Sequence, residues 1–171
     1  MNIQAKNNDS PKGSQMNDIH NKYIKWMKVV LRRAKDIGRY EIPVCALILD
    51  KKGRIIGRGS NRREIYKDPL GHAELVALRQ AAWLRGDWRF NDCTLIVNLE
   101  PCTMCAAAII QARVGKIIYS NVDKKRGGFG GSINLVNHKS AHHNMDVYKG
   151  IMEDESANIL KLWFKKLRKG K

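Results

Sequence analysis

The segment Thr94-Leu95-Ile96-Val97-Asn98-Leu99-Glu100-Pro101-Cys102-Thr103-Met104-Cys105 decides how the rest of the chain is read. Thr94 to Leu99 is apolar on both alternating faces, so it reads as a strand buried between two layers. Pro101 suits the start of a helix, here running to about Gln111. The Cys-x-x-Cys spacing spreads two thiolates over the first helical turn, where they face one ion. The positive end of the helix favours their charge.

Reading outward, an apolar run from Val44 to Leu49 follows Pro43, and Asp50 to Gly53 forms a turn. Arg54 to Gly59 returns, which predicts a hairpin. Residues 60–71 read as a loop, and a helix rich in Ala, Leu, Glu and Gln spans about His72 to Leu84. Downstream, Lys116 to Ser120 is a fourth strand and residues 124–132 a basic, glycine-rich loop around Phe129. A short fifth strand lies near Val147–Tyr148, and a final helix runs from about Glu153 to Leu167. At the other end, Tyr23, Met27, Val30, Leu31 and Ala34 recur at helical spacing between Ile19 and Ile37, with Gly38 as a stop. Residues 1–18 are polar and read as a disordered tail, leaving 19–171 as one domain. Helices alternating with buried strands after a hairpin predict a three-layer α/β/α domain around a five-stranded mixed sheet.

A second short segment, His72-Ala73-Glu74, opens a helix about thirty residues before Cys102. Zinc takes imidazole and thiolate ligands in a tetrahedron, and three protein ligands leave one position for water. His72, Cys102 and Cys105 are therefore the expected ligands of a catalytic zinc ion. Glu74 sits close enough to move protons without ligating. Either segment alone says less, since Cys-x-x-Cys also serves redox pairs and structural zinc. A structural site would need a fourth ligand from Cys93, His138, His142 or His143, none of which belongs to a ligand pair. Cys45 and Cys93 read as small buried hydrophobes.

Lys and Arg number 32 against 16 Asp and Glu, a net charge of +16. Such a field attracts polyanions, although a general basic bias would leave the same mark. The last residues set Lys161, Lys165, Lys166, Arg168, Lys169 and Lys171 beside Leu162, Trp163, Phe164 and Leu167. That pattern predicts an amphipathic helix with a docked apolar face and a basic outer face, or an ordinary solvated helix end. Lys124-Lys125-Arg126-Gly127-Gly128-Phe129 offers a second backbone contact, with Phe129 available for stacking or serving as an anchor. No apolar run is long enough to span a bilayer and no secretory signal is present, so a cytoplasmic, membrane-free protein is expected. Metal-spaced cysteines fit that reducing compartment.

His-x-Glu followed by Pro-Cys-x-x-Cys is the signature of zinc nucleobase deaminases. From about Tyr23 to Ile159 the chain resembles the bacterial tRNA adenosine deaminases. Ile42-Pro43-Val44, Gly57 to Arg62, Asp68 to Glu74, Leu99 to Ala106 and Gly127 to Ser132 carry the resemblance. It implies a cytidine-deaminase-like fold, a homodimer, and conversion of adenosine to inosine at the wobble position of a tRNA anticodon arm. It also implies that Asn61 hydrogen-bonds the extruded base and that Asp123 lies near the substrate nucleotide. By sequence alone, Asn61 is equally a turn residue. Cys45 departs from the family, which commonly has Gly there; it either narrows the pocket or fills core space. The same metal chemistry also serves a small-molecule deaminase acting on cytosine or guanine, and an RNA-binding module stabilised by zinc would share the ligands.

Overall fold

The computed structural model describes residues 13–37 and 40–169, with side chains from residue 21 onward. Helix α1 (Gly13–Lys35) leads into a hairpin of β1 (Cys45–Leu49) and β2 (Ile55–Ser60). There follow the short α2 (Arg63–Tyr66), α3 (Ala73–Arg85), β3 (Thr94–Leu99), α4 (Thr103–Gln111), β4 (Lys116–Asn121), β5 (Asp146–Lys149) and α5 (Glu153–Lys169). The five strands form one sheet in the order β2-β1-β3-β4-β5. β1 pairs antiparallel with both β2 and β3, whereas β3–β4 and β4–β5 are parallel, so the sheet is mixed as expected.

Alternation along the central strands divides the core. Ala46, Ile48, Leu95, Val97, Ile117 and Tyr119 pack against α3 and α4. Cys45, Leu47, Leu49, Ile96 and Ile118 face α1 and the start of α5. This two-sided burial explains why β3 reads as apolar throughout. It also answers the question of Cys45, which fills core space beneath α1, on the sheet face opposite the His-x-Glu and Cys-x-x-Cys helices. Its Sγ lies 3.2 Å from Ser60 Oγ, and burial pushes the thiol pKa up.

Three expectations need correction. α1 starts at Gly13 rather than Ile19, so residues 13–18 are helical and not part of a tail. From Ser14 to Ile37 no glycine or proline interrupts the helix, and extending a formed helix costs little. The remaining tail residues 1–12 and the proposed stop Gly38 lie outside the described residues. Residues 60–71 are not all loop, since α2 forms where the buried Glu41 carboxylate accepts the N–H groups of Glu64 and Ile65 at 2.7 and 3.0 Å. The apolar face of α5 docks only in its first half, where Ser156 and Ile159 are buried. Leu162 and Phe164 are 58% and 47% exposed, and Trp163 and Leu167 line a groove beside Asn61 instead of the sheet.

Candidate active site

Two helix N-termini converge on one point. His72 is the N-cap of α3, and Cys102 is the N-cap of α4 with Cys105 one turn on. Neither N-cap side chain bonds its own helix, so both are free to face outward from it. Pro101 therefore precedes the cap of α4 rather than occupying its first turn. His72 Nδ1 lies 3.6 Å from Cys102 Sγ and 3.4 Å from Cys105 Sγ. A tetrahedral ion with Zn–N of about 2.0 Å and Zn–S of about 2.3 Å requires N···S separations of roughly 3.5 Å. The three ligand atoms all lie within 4.8 Å of one another, so the donor set and its spacing fit zinc. Among the described residues no other cluster of this kind occurs. Cys93 is buried in the core and takes a hydrogen bond from Arg85 at 2.9 Å, while His143 bonds the Val114 carbonyl; neither joins the site.

The protons of the site favour exchange for a cation. Hydrogen bonding from Cys105, with His72 beside it, pulls the Cys102 thiol down to about 4. The Cys102 bond in turn holds the His72 imidazole above its ordinary value. Cys105 is pushed up by its bond to Cys102 and by burial. A divalent cation displaces these shared protons on binding.

Glu74, in the first turn of α3, is buried within hydrogen-bond reach of Cys105. Burial pushes its carboxyl up to about 7, which allows it to hold or release a proton near neutrality.

Asn61 ends β2 and reaches across to α3. Its Oδ1 accepts the Ala73 N–H at 3.0 Å, capping the helix that His72 leaves uncapped. Its own N–H is held by the Val44 carbonyl at 3.0 Å. The buried Asn98 fixes that stretch from beneath, accepting the Cys45 N–H and donating to the Pro43 carbonyl, both at 2.9 Å. A groove of about 690 Å³ opens beside Asn61, with Glu41, Arg63, Trp163 and Leu167 among its walls.

The glycine-rich loop lies against Cys102. Gly128 N–H bonds the Pro101 carbonyl at 2.9 Å and Thr103 N–H bonds the Arg126 carbonyl at 3.2 Å. Asp123 builds the loop's first turn, its Oδ1 accepting the N–H groups of Lys125 and Arg126. Phe129 does not offer a stacking face. It is only 6% exposed and belongs to the core, where burying the ring is worth roughly 1.5–3 kcal/mol.

Sequence reasoning missed Glu100. Its carboxylate accepts backbone N–H groups of Asp123, Phe129 and Gly131, each at 2.9 Å, and so holds the loop in place. Gly127 and Gly131 are required there because a Cβ on either would collide with this carboxylate. The available signal was an acidic residue joining an apolar strand to a metal motif, with glycines downstream.

A family model described as the cytidine and deoxycytidylate deaminase zinc-binding region matches residues 20–121. The tRNA-specific adenosine deaminase of Bacillus subtilis (strain 168) is 35% identical over 147 residues, covering 85% of this chain and 91% of its own. That of Agrobacterium fabrum (strain C58) is 40% identical over 145 residues, covering 84% and 94%. A solved structure from studies of A-to-I editing by tRNA:A34 deaminases at the wobble position of transfer RNA is 39% identical. It covers 80% of this chain and 99% of its own, with a TM-score of 0.76.

Proposed function

Because the chain belongs to the cytidine and deoxycytidylate deaminase zinc-binding family, and within it to the tRNA-specific adenosine deaminases, we propose that it converts adenosine to inosine at the wobble position of a tRNA anticodon. The observation that carries the chemistry is the convergence of His72, Cys102 and Cys105 at zinc-ligand spacing with Glu74 beside them. Bound there, zinc supplies Lewis-acid activation of a water molecule. Glu74 accepts the water proton as the oxygen bonds to C6 of adenine, and delivers it to the ring nitrogen. It then moves the second proton to the amino group, which leaves as ammonia, and the C6 carbonyl of inosine remains.

The amide nitrogen of Asn61 makes no hydrogen bond among the described residues and is assigned to the base. Anchoring of its oxygen on Ala73 fixes the direction of that donor. Asp123 acts on the nucleotide through the loop it builds beside Cys102. Exposed Lys124, Lys125 and Arg126 on that loop, and the exposed basic residues of α5, contact phosphates of the anticodon arm. An anticodon loop suits the site because its bases are already unpaired, so extruding one costs only a few kcal/mol. The working form is a homodimer in the cytoplasm, where tRNA is available and thiolate ligands stay reduced. No helix among the described residues is long and apolar enough to cross a membrane.

The test is turnover of the zinc-loaded protein on tRNA, free adenosine, cytosine and guanine. Inosine in the anticodon of tRNA is the expected product. Turnover of free bases or nucleosides alone would instead establish a small-molecule deaminase.

A further inference from the structure

The sheet face away from the zinc site carries a charged surface that catalysis does not use. On α1, Lys28, Arg32 and Lys35 are exposed at spacings of four and three residues, which puts them on one side of the helix. No salt bridge joins any of them to an acidic group among the described residues. Like charges this close repel along the helix. The same three residues line a groove of about 270 Å³ between α1 and α5, opposite Ile159 and a single carboxylate, Glu155.

α5 borders both this groove and the one beside Asn61. Ile159 lines it, and Trp163, one helical turn further on, lines the groove beside Asn61. At 1.5 Å per residue, Ile159 and Trp163 are about 6 Å apart along the helix axis. α5 is thus the element that an RNA would share between the two grooves.

We propose that Lys28, Arg32 and Lys35 of α1, with the groove they form against α5, bind the phosphate backbone of the anticodon stem. The inference rests on the tRNA reading above and assigns that substrate a second contact surface. A lipid surface is disfavoured by the same face. A helix that lies in a membrane inserts its apolar side, and the apolar side of α1 is already buried on the sheet through Met27, Val30, Leu31 and Ala34. Phosphates on a stiff duplex need only the exposed charges.

The experiment compares two double variants that each remove two positive charges. Lys28→Gln/Arg32→Gln alters the proposed surface. Lys51→Gln/Lys52→Gln alters exposed residues in the β1–β2 turn, at the end of the hairpin away from Asn61. Deamination is measured on full-length tRNA and on a stemless anticodon-loop oligonucleotide, with melting temperature as a check on folding. For Lys28→Gln/Arg32→Gln the expected result is a KM on tRNA raised about 5–10-fold at unchanged kcat, and a salt dependence of log K shallower by up to about 2. KM on the stemless oligonucleotide stays at the wild-type value, and the Lys51→Gln/Lys52→Gln protein behaves as wild type on both. Equal losses in the two variants, an unchanged KM on tRNA, or a matching loss on the stemless oligonucleotide would overturn the proposal while leaving the tRNA reading intact. A wild-type protein that turns over nucleosides but no RNA overturns that reading first.

Discussion

Glu74 stands two residues from a metal ligand, is enclosed by protein, and is held near its proton-exchange point by that enclosure. Replacing it tests role against architecture. Glu74→Gln keeps the shape, so zinc measured by atomic absorption stays near one per chain while deamination falls about 10²–10⁴-fold. The same carboxyl predicts a pH effect in the zinc-free protein. Its ordinary value is 4.5 and its folded value about 7. Between these, the folded chain holds a proton that the unfolded chain has lost, so stability from this group falls as pH rises. Urea unfolding at about pH 5 and about pH 8 should show a decline in the wild type that Glu74→Gln removes. Identical pH trends would mean that the group is not shifted. The ligands and Glu74 were legible because each works within a short stretch of chain. Asn61, Asn98 and Glu100 were not legible in these roles, since their partners lie 12 to 55 residues away.

At the level of elements, β2 and α3 touch backbone to backbone. A Cβ at Gly59 would strike the Ala73 carbonyl and come within 2.7 Å of Ala77 N. Gly59→Ala must push the head of α3, and His72 with it, away from Cys102. The expected cost is about 1–3 kcal/mol, read as a melting temperature lower by several degrees. Weaker zinc retention against a chelator accompanies it. Glu100→Gln addresses the loop instead. Glutamine can offer acceptors to only some of three N–H groups and turns its own NH₂ on another, at a cost of roughly 1–3 kcal/mol. Amide hydrogen exchange should rise across residues 123–131 while zinc content holds. The hairpin, β3, α4 and β4 were predicted within a residue or two because their apolar patterns are local. The short α2 escaped because a carboxylate more than twenty residues upstream caps it. The exposed second half of α5 was misread because amphipathic periodicity reports that a face is apolar, not that anything covers it.

For the whole molecule, the three-layer plan was readable from the alternation of helices with doubly apolar strands. The allocation of side chains between its two layers required the strand register. The register also carries a consequence for how the chain acquires its metal. His72 and Cys102 lie on opposite sides of β3 in sequence, and β3 is the middle strand of the sheet, paired on both edges. The ligands from α3 and α4 therefore meet only after that strand has found both neighbours, one of them through a parallel and hence slow pairing. Zinc then acts as a late lock rather than a nucleus. In stopped-flow refolding with a colorimetric zinc indicator, ion capture should track the final folding phase, and added zinc should slow unfolding without speeding refolding. Refolding accelerated by zinc would show instead that the ion assembles the centre of the sheet.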